Sequence, residues 1–176
     1  MNHELWLERF REHLEIRGRA ARTVQTYQDV VKPFLEFLES AGLGSLSDLT
    51  GDLLEEYRVH LYSRRHRGRP LARATHASNM SGLKAFVGFL NRAGYLAVDL
   101  ATSLELPHVP RSVPRVILTE TEVRQLLERQ DLDSALGVRN RALLEMLYGT
   151  ALRNAELIGL KLPEVDFEGR MVRVER

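Results

Sequence analysis

Leu5, Trp6, Phe10 and Leu14 recur at three- and four-residue steps, the spacing that lines one face of an α-helix, and they predict a first amphipathic helix. It halts at Arg17-Gly18, where glycine can take a left-handed cap conformation. A second helix is predicted with Thr23 as its cap and with Val24, Tyr27, Val31, Phe34, Leu35 and Leu38 along its apolar face, ended by Gly42 and Gly44. Ser47 or Thr50 can open a third through Leu53, Leu54, Tyr57 and Leu61, and this one runs out in SRRHRGRP, a polar, proline-ended stretch that reads as a loop. A fourth begins near Arg73, carries Met80, Leu83, Phe86, Val87 and Leu90, and is followed by Gly94. The first unit is therefore expected to be all helical.

Pro107, Pro110 and Pro114 then follow in quick succession, favouring extended backbone and excluding a helix. This divides the chain into a helical domain over 1–106, a linker over 107–115 and a second domain over 116–176. Thr119 with Glu122 three residues on is a capping box that opens a new helix. GVRNRALLEMLYGT predicts another, with Ala142, Leu143, Met146 and Leu147 buried, and ALRNAELIGL adds a further helical turn or two. After a turn at Glu168-Gly169, Met171, Val172 and Val174 favour a β-strand. That strand has no evident partner left in the chain, so the second domain is expected to be cut short. The fold class expected is mainly α, a four-helix domain followed by a truncated α+β domain.

Composition narrows the function classes. Hydrophobic residues make up 44% and charged residues 28% of the 176, the balance of a folded globular chain. No apolar run approaches the roughly 20 residues that a membrane-spanning helix needs, and the charged N-terminal stretch is unlike a secretory signal, so a cytoplasmic protein is expected. With no cysteine, disulfides and thiolate metal sites are excluded, and the six histidines lack paired ligand spacing. A net charge of +1 hides a polarised chain: Arg64, Arg65, His66, Arg67, Arg69 and Arg73 fall in one short stretch.

Four segments in order resemble the tyrosine recombinase (phage integrase) family. ARTVQTYQDVVKPFLEFL and LARATHASNMSGLKAFVGFLNRAGYL are similar to the second and fourth helices of its SAM-like core-binding domain. LTETEVRQLL is similar to the opening of its catalytic domain, and GVRNRALLEMLYGTALRNAELIGLKLPEVDF to its first conserved box. The resemblance implies a protein that clamps double-stranded DNA at a recombination site and breaks and rejoins strands through a phosphotyrosine, with no cofactor. It aligns Arg153, in Thr150-Ala151-Leu152-Arg153-Asn154-Ala155-Glu156-Leu157, with the arginine that holds the scissile phosphate. Physical chemistry agrees, because a guanidinium presents paired donors to two phosphate oxygens and neutralises charge growing in the transition state. Glu156, three residues on and expected on the same helical face, is placed to hold that guanidinium, although a plain helix ion pair explains it equally well. Ala151 stands where the family commonly has glycine.

The family continues into a catalytic lysine, an H-x-x-R pair, a further His or Trp and a tyrosine nucleophile, none of which follows Arg176. Tyr27, Tyr57, Tyr62, Tyr95 and Tyr148 read as packing aromatics of helical stretches, not nucleophiles. The chain alone is expected to bind DNA without cutting it, as part of a recombinase or as a short non-catalytic regulator of recombination sites. Complete family members work as tetramers on DNA, and this chain is expected to be monomeric off it. The N-terminal ends of the second and fourth helices are the expected groove readers, with Arg19, Arg22, Thr23 and Gln25 at one and Arg73, Thr75, Ser78, Asn79 and Lys84 at the other. Arg64, Arg65, Arg67 and Arg69 are expected on phosphates, whereas Gln25 and Asn79 are types that read adenine edges.

Overall fold

A computed structural model describes residues 2–110 and 117–174. The chain divides into two compact units, Met1–Arg111 and Ser112–Arg176. Pro107 and Pro110 lie in backbone without regular structure, while residues 111–116, Pro114 among them, fall outside the described residues.

In the first unit α1 spans His3–Ile16, with the Asn2 side chain accepting the Leu5 N–H at 3.1 Å. Its buried stripe steps by four through half-buried Trp6 to Phe10 and Leu14, so Leu5, one residue off that stripe, is exposed contrary to the expectation. Gly18 takes φ +67 and turns the chain, as the sequence suggests. α2 (Ala21–Ser40) then begins earlier than expected: Ala20 occupies the cap position without a side-chain bond, and Thr23 is the third helical residue. Backbone bonds close that first turn, since both Thr23 and Val24 donate to the Ala20 carbonyl. Thr50 caps α3 (Gly51–Ser63), and α4 (Arg73–Arg92) starts where expected, again from an uncapped alanine, Ala72.

The stretch between α3 and α4 corrects the sequence reading. It is a hairpin of β1 (Arg65–His66) and β2 (Arg69–Pro70), antiparallel, turned by Arg67 at φ +50 and Gly68 at φ +75. Two positive-φ residues are the signature of a tight primed turn.

The core of this unit is aromatic. Phe10 meets Phe86 at 5.1 Å and Phe89 at 5.6 Å between ring centroids, and Phe34 meets Tyr57 at 4.8 Å. Burying each such side chain contributes about 2 kcal/mol. α2 and α4 cross where Gly82 leaves room for Val30: an added Cβ would sit 3.1 Å from Val30 Cγ1. Four residues further along both helices, Phe34 faces Phe86. Contacts that advance together mean that α2 and α4 run in the same sense, so their N-termini share one end of the unit. α1 runs the opposite way, with Phe10 against Phe86 and Trp6 against Tyr95.

Tyr95 lies beyond the end of α4, not within a helix as expected, and the Arg9 guanidinium donates to its hydroxyl at 2.8 Å while covering the Trp6 ring. The following segment adds Leu96, Ala101 and Leu104 to the core. Tyr57 packs as foreseen, but Tyr62 and Tyr148 are exposed at 77% and 59%.

The second unit opens on α5 (Glu120–Glu128) with the anticipated Thr119–Glu122 capping box. α6 (Ala135–Thr150) starts from Ser134, and Gly137 lies so close to the Asp131 carbonyl that no side chain fits there. Its inward face departs from the expectation of burial: Leu143, Met146 and Leu147 are half-buried and Ala142 is exposed, because little of the described chain packs over them. After α7 (Asn154–Gly159) comes a hairpin of β3 (Val165–Asp166) and β4 (Met171–Val172), pairing Val165 with Val172 and Asp166 with Met171. The strand thought to lack a partner therefore folds back on residues immediately before it. The Asp166 carboxylate accepts the Gly169 N–H at 2.8 Å and shapes this turn.

Candidate nucleic-acid interface and anion site

Because α2 and α4 run in the same sense, the residues ahead of and within their first turns collect at one end of the first unit. Arg19 lies in the turn between α1 and α2, its N–H bonded to the Leu14 carbonyl. Arg22 and Gln25 are exposed in the first turns of α2, while Thr23 is half-buried. Gln25 already donates to Asp29 at 2.8 Å, so its amide is engaged along the helix surface. On α4, Thr75, Ser78 and Asn79 share one stripe at three- and four-residue steps, the first two exposed and Asn79 half-buried.

Lys84 departs from this group. Nine residues past Thr75 is two and a half turns, which carries it to the opposite side of α4. There its ammonium donates to the Leu104 carbonyl at 2.8 Å and ties down the segment that follows the helix. Residues close along the chain can lie on opposite sides of a helix, so proximity in the sequence concealed this.

The hairpin joins the same end through its connection to α4. Arg64, Arg65, Arg67 and Arg69 are all exposed. Arg73, the first residue of α4, borders a groove of about 660 Å³ with Tyr62, His76, Glu55 and Glu105. The sequence missed Tyr62 and His76, whose rings meet at 5.5 Å on facing helices; separation in the chain concealed the pair.

In the second unit the site is a joint between helices. α6 ends at Ala151, which adopts the left-handed conformation at φ +53, ψ +27. Glycine suits this position because of the backbone angle, and alanine here costs about 1 kcal/mol. The turn sets Arg153 at the cap of α7, not inside it, which corrects the expectation that Arg153 and Glu156 share a helical face. Glu156 instead grips Arg153 twice: one carboxylate oxygen accepts the Arg153 backbone N–H at 2.8 Å and the other accepts a guanidinium N–H at 2.8 Å. The Arg153 side chain is 77% exposed and that of Glu156 only 23%. A guanidinium held from one edge keeps its other donors for an anion.

Comparison with known proteins follows this division. The family model described as "Phage integrase, N-terminal SAM-like domain" matches residues 7–94, and "Phage integrase family" matches residues 117–176. Tyrosine recombinase XerC 2 of Ralstonia nicotianae is 34% identical over 96% of this chain and 49% of its own length. Tyrosine recombinase XerC of Myxococcus xanthus is 36% identical over 96% and 54%, and XerD of Pseudomonas aeruginosa 31% over 97% and 52%. The chain spans about half the length of these curated relatives. A solved structure titled "Crystal structure of XerA recombinase" aligns with 98% of this chain and 55% of its own at 22% identity and a TM-score of 0.42. No helix among the described residues is long and apolar enough to cross a membrane. With a SAM-like helical unit followed by the opening of a catalytic domain, this chain belongs to the phage integrase family of tyrosine recombinases.

Proposed function

We propose that this chain is the DNA-gripping portion of a site-specific recombinase, acting on double-stranded DNA in the cytoplasm. Its residues 1–106 hold the duplex, 107–115 link, and 116–176 bring Arg153 to the scissile phosphate. One observation carries the reading: the basic turn before α2, the first turns of α2 and α4 and the arginine hairpin all lie at one end of the first unit. A polyanion meeting that end releases counterions, so affinity falls linearly with the logarithm of salt concentration. Arg19, Arg22, Arg65 and Arg69 position the duplex through phosphates, and half-buried Asn79, beside exposed Thr75 and Ser78 on one stripe of α4, is a type that reads base edges. Arg153, oriented by Glu156, supplies paired donors to a phosphate; in the complete reaction it stabilises charge on the pentacovalent centre.

Titration of the full chain against duplex DNA across a salt series tests the reading. Salt-dependent binding is expected, and undetectable affinity at low salt would sink it. Arg153→Ala should scarcely alter this binding, while the same change in a longer chain that cleaves DNA should abolish cleavage. Retained cleavage in that longer variant removes the role given to Arg153.

A further inference from the structure

A hairpin can do what an arginine-rich loop cannot, because its residues have fixed sides. Its ladder is two pairs long, with Arg65 opposite Pro70 and His66 opposite Arg69. Cross-strand partners share a face and successive residues alternate, so Arg69 with His66 takes one face and Arg65 the other. The His66–Arg69 face borders an open recess of about 800 Å³ that reaches Thr75 on α4, and no carboxylate lines it. At the tip Arg67 and Gly68 both hold positive φ, so the turn is narrow and carries one side chain, the Arg67 guanidinium. Arg65, Arg67 and Arg69 are exposed and make no ion pair among the described residues.

We propose that this hairpin enters the minor groove of duplex DNA tip first, with Arg67 at the groove floor and Arg65 and Arg69 against the phosphates of the two bordering strands. The inference rests on the duplex-binding reading above and names how one element of that surface engages. A narrow A·T minor groove concentrates negative potential and attracts an inserted guanidinium. A tip bearing a single side chain beside glycine suits a groove about 6 Å wide. Major-groove reading by a β-ribbon needs strands long enough to lay several side chains along the base edges, and two residue pairs do not supply them. Single strands are held by stacking on aromatic rings, and no Phe, Tyr or Trp lies between Arg64 and Ala72.

Equal-length duplexes with a central A-tract or a mixed G·C centre, titrated with the full chain with and without distamycin, which fills narrow A·T minor grooves, test the proposal. The A-tract duplex should bind about tenfold tighter, and distamycin should erase the difference. Arg67→Asn keeps a residue that tolerates left-handed backbone and removes the guanidinium; it should lose the A-tract preference with an unchanged melting temperature, and Arg67→Lys should restore part of it. Arg65→Gln and Arg69→Gln should weaken both duplexes alike and lower the salt slope by about 1 each. A preference that survives Arg67→Asn, or none in an unaltered chain that binds duplex DNA, overturns the groove insertion and leaves duplex binding standing. Absence of binding to either duplex at low salt overturns both.

Discussion

In the first unit Phe10, Phe34, Leu35, Leu38, Phe86 and Leu90 have no exposed surface, whereas in the second Leu143, Met146 and Leu147 are half-exposed and Leu157 is the one buried hydrophobic residue among those described. Both units contain amphipathic helices of ordinary pattern. The difference lies in cover: α1, α2 and α4 turn their apolar faces toward one shared centre, while α5, α6 and α7 touch over a thin layer. Ile117, Ile158, Leu162 and Phe167 remain about three-quarters exposed. Periodicity states which face is apolar and says nothing about what lies over it.

This contrast can be broken by mutation. Phe10→Ala removes a ring that touches Phe86, Phe89 and Tyr27 and should cost about 3–5 kcal/mol, read as a lower midpoint in urea unfolding of the main transition. Leu143→Ala, on the half-covered face of α6, should cost less than about 2 kcal/mol, below the usual range for a buried leucine. Equal costs would erase the distinction between the units.

A smaller effect of opposite sign is expected in the second unit. Ala151→Gly relieves the left-handed backbone and should stabilise by about 1 kcal/mol, seen as slower amide exchange across the end of α6 and the start of α7. No change there would mean that the joint carries no strain.

The smallest effect concerns pH and belongs to the first unit. His13 packs on Phe89 at 4.9 Å; burial first, then the charges of Arg17 and Arg92, hold its pKa below the ordinary value near 6.5. The folded state thus binds a proton less readily than the unfolded one. The associated stability is fully present above about pH 6.5 and is lost as pH falls toward the lowered folded value. Melting temperature followed from pH 8 to pH 5 should decline less in His13→Gln; parallel curves would remove His13 as a contributor.

Much of the first unit was legible because its signals were local and mutually consistent: stripes at helical steps, Thr50 as a cap, glycines at 18, 42 and 94 in left-handed turns. What escaped had physical reasons. Arginine in a positive-φ turn is rare, so HRGR gave no hairpin signal, and β3 was too short for alternation to reveal it. Lys84 looked like a surface cation until its angle about the helix and the returning carbonyl of Leu104 were known. In the second unit the pattern around Arg153 pointed to a pairing with Glu156, which the structure shows, but not to the left-handed joint that places one at a helix cap and the other in its first turn.

The double grip of Glu156 has an entropic consequence. A free arginine side chain surrenders about 2 kcal/mol of rotamer freedom when an incoming anion immobilises it. Here the carboxylate that fixes the amide of Arg153 also fixes its guanidinium, so part of that loss is met when the chain folds, before any anion is bound. The same bond links the direction of the guanidinium to the axis of α7, and any movement of that short helix would re-aim the arginine with it.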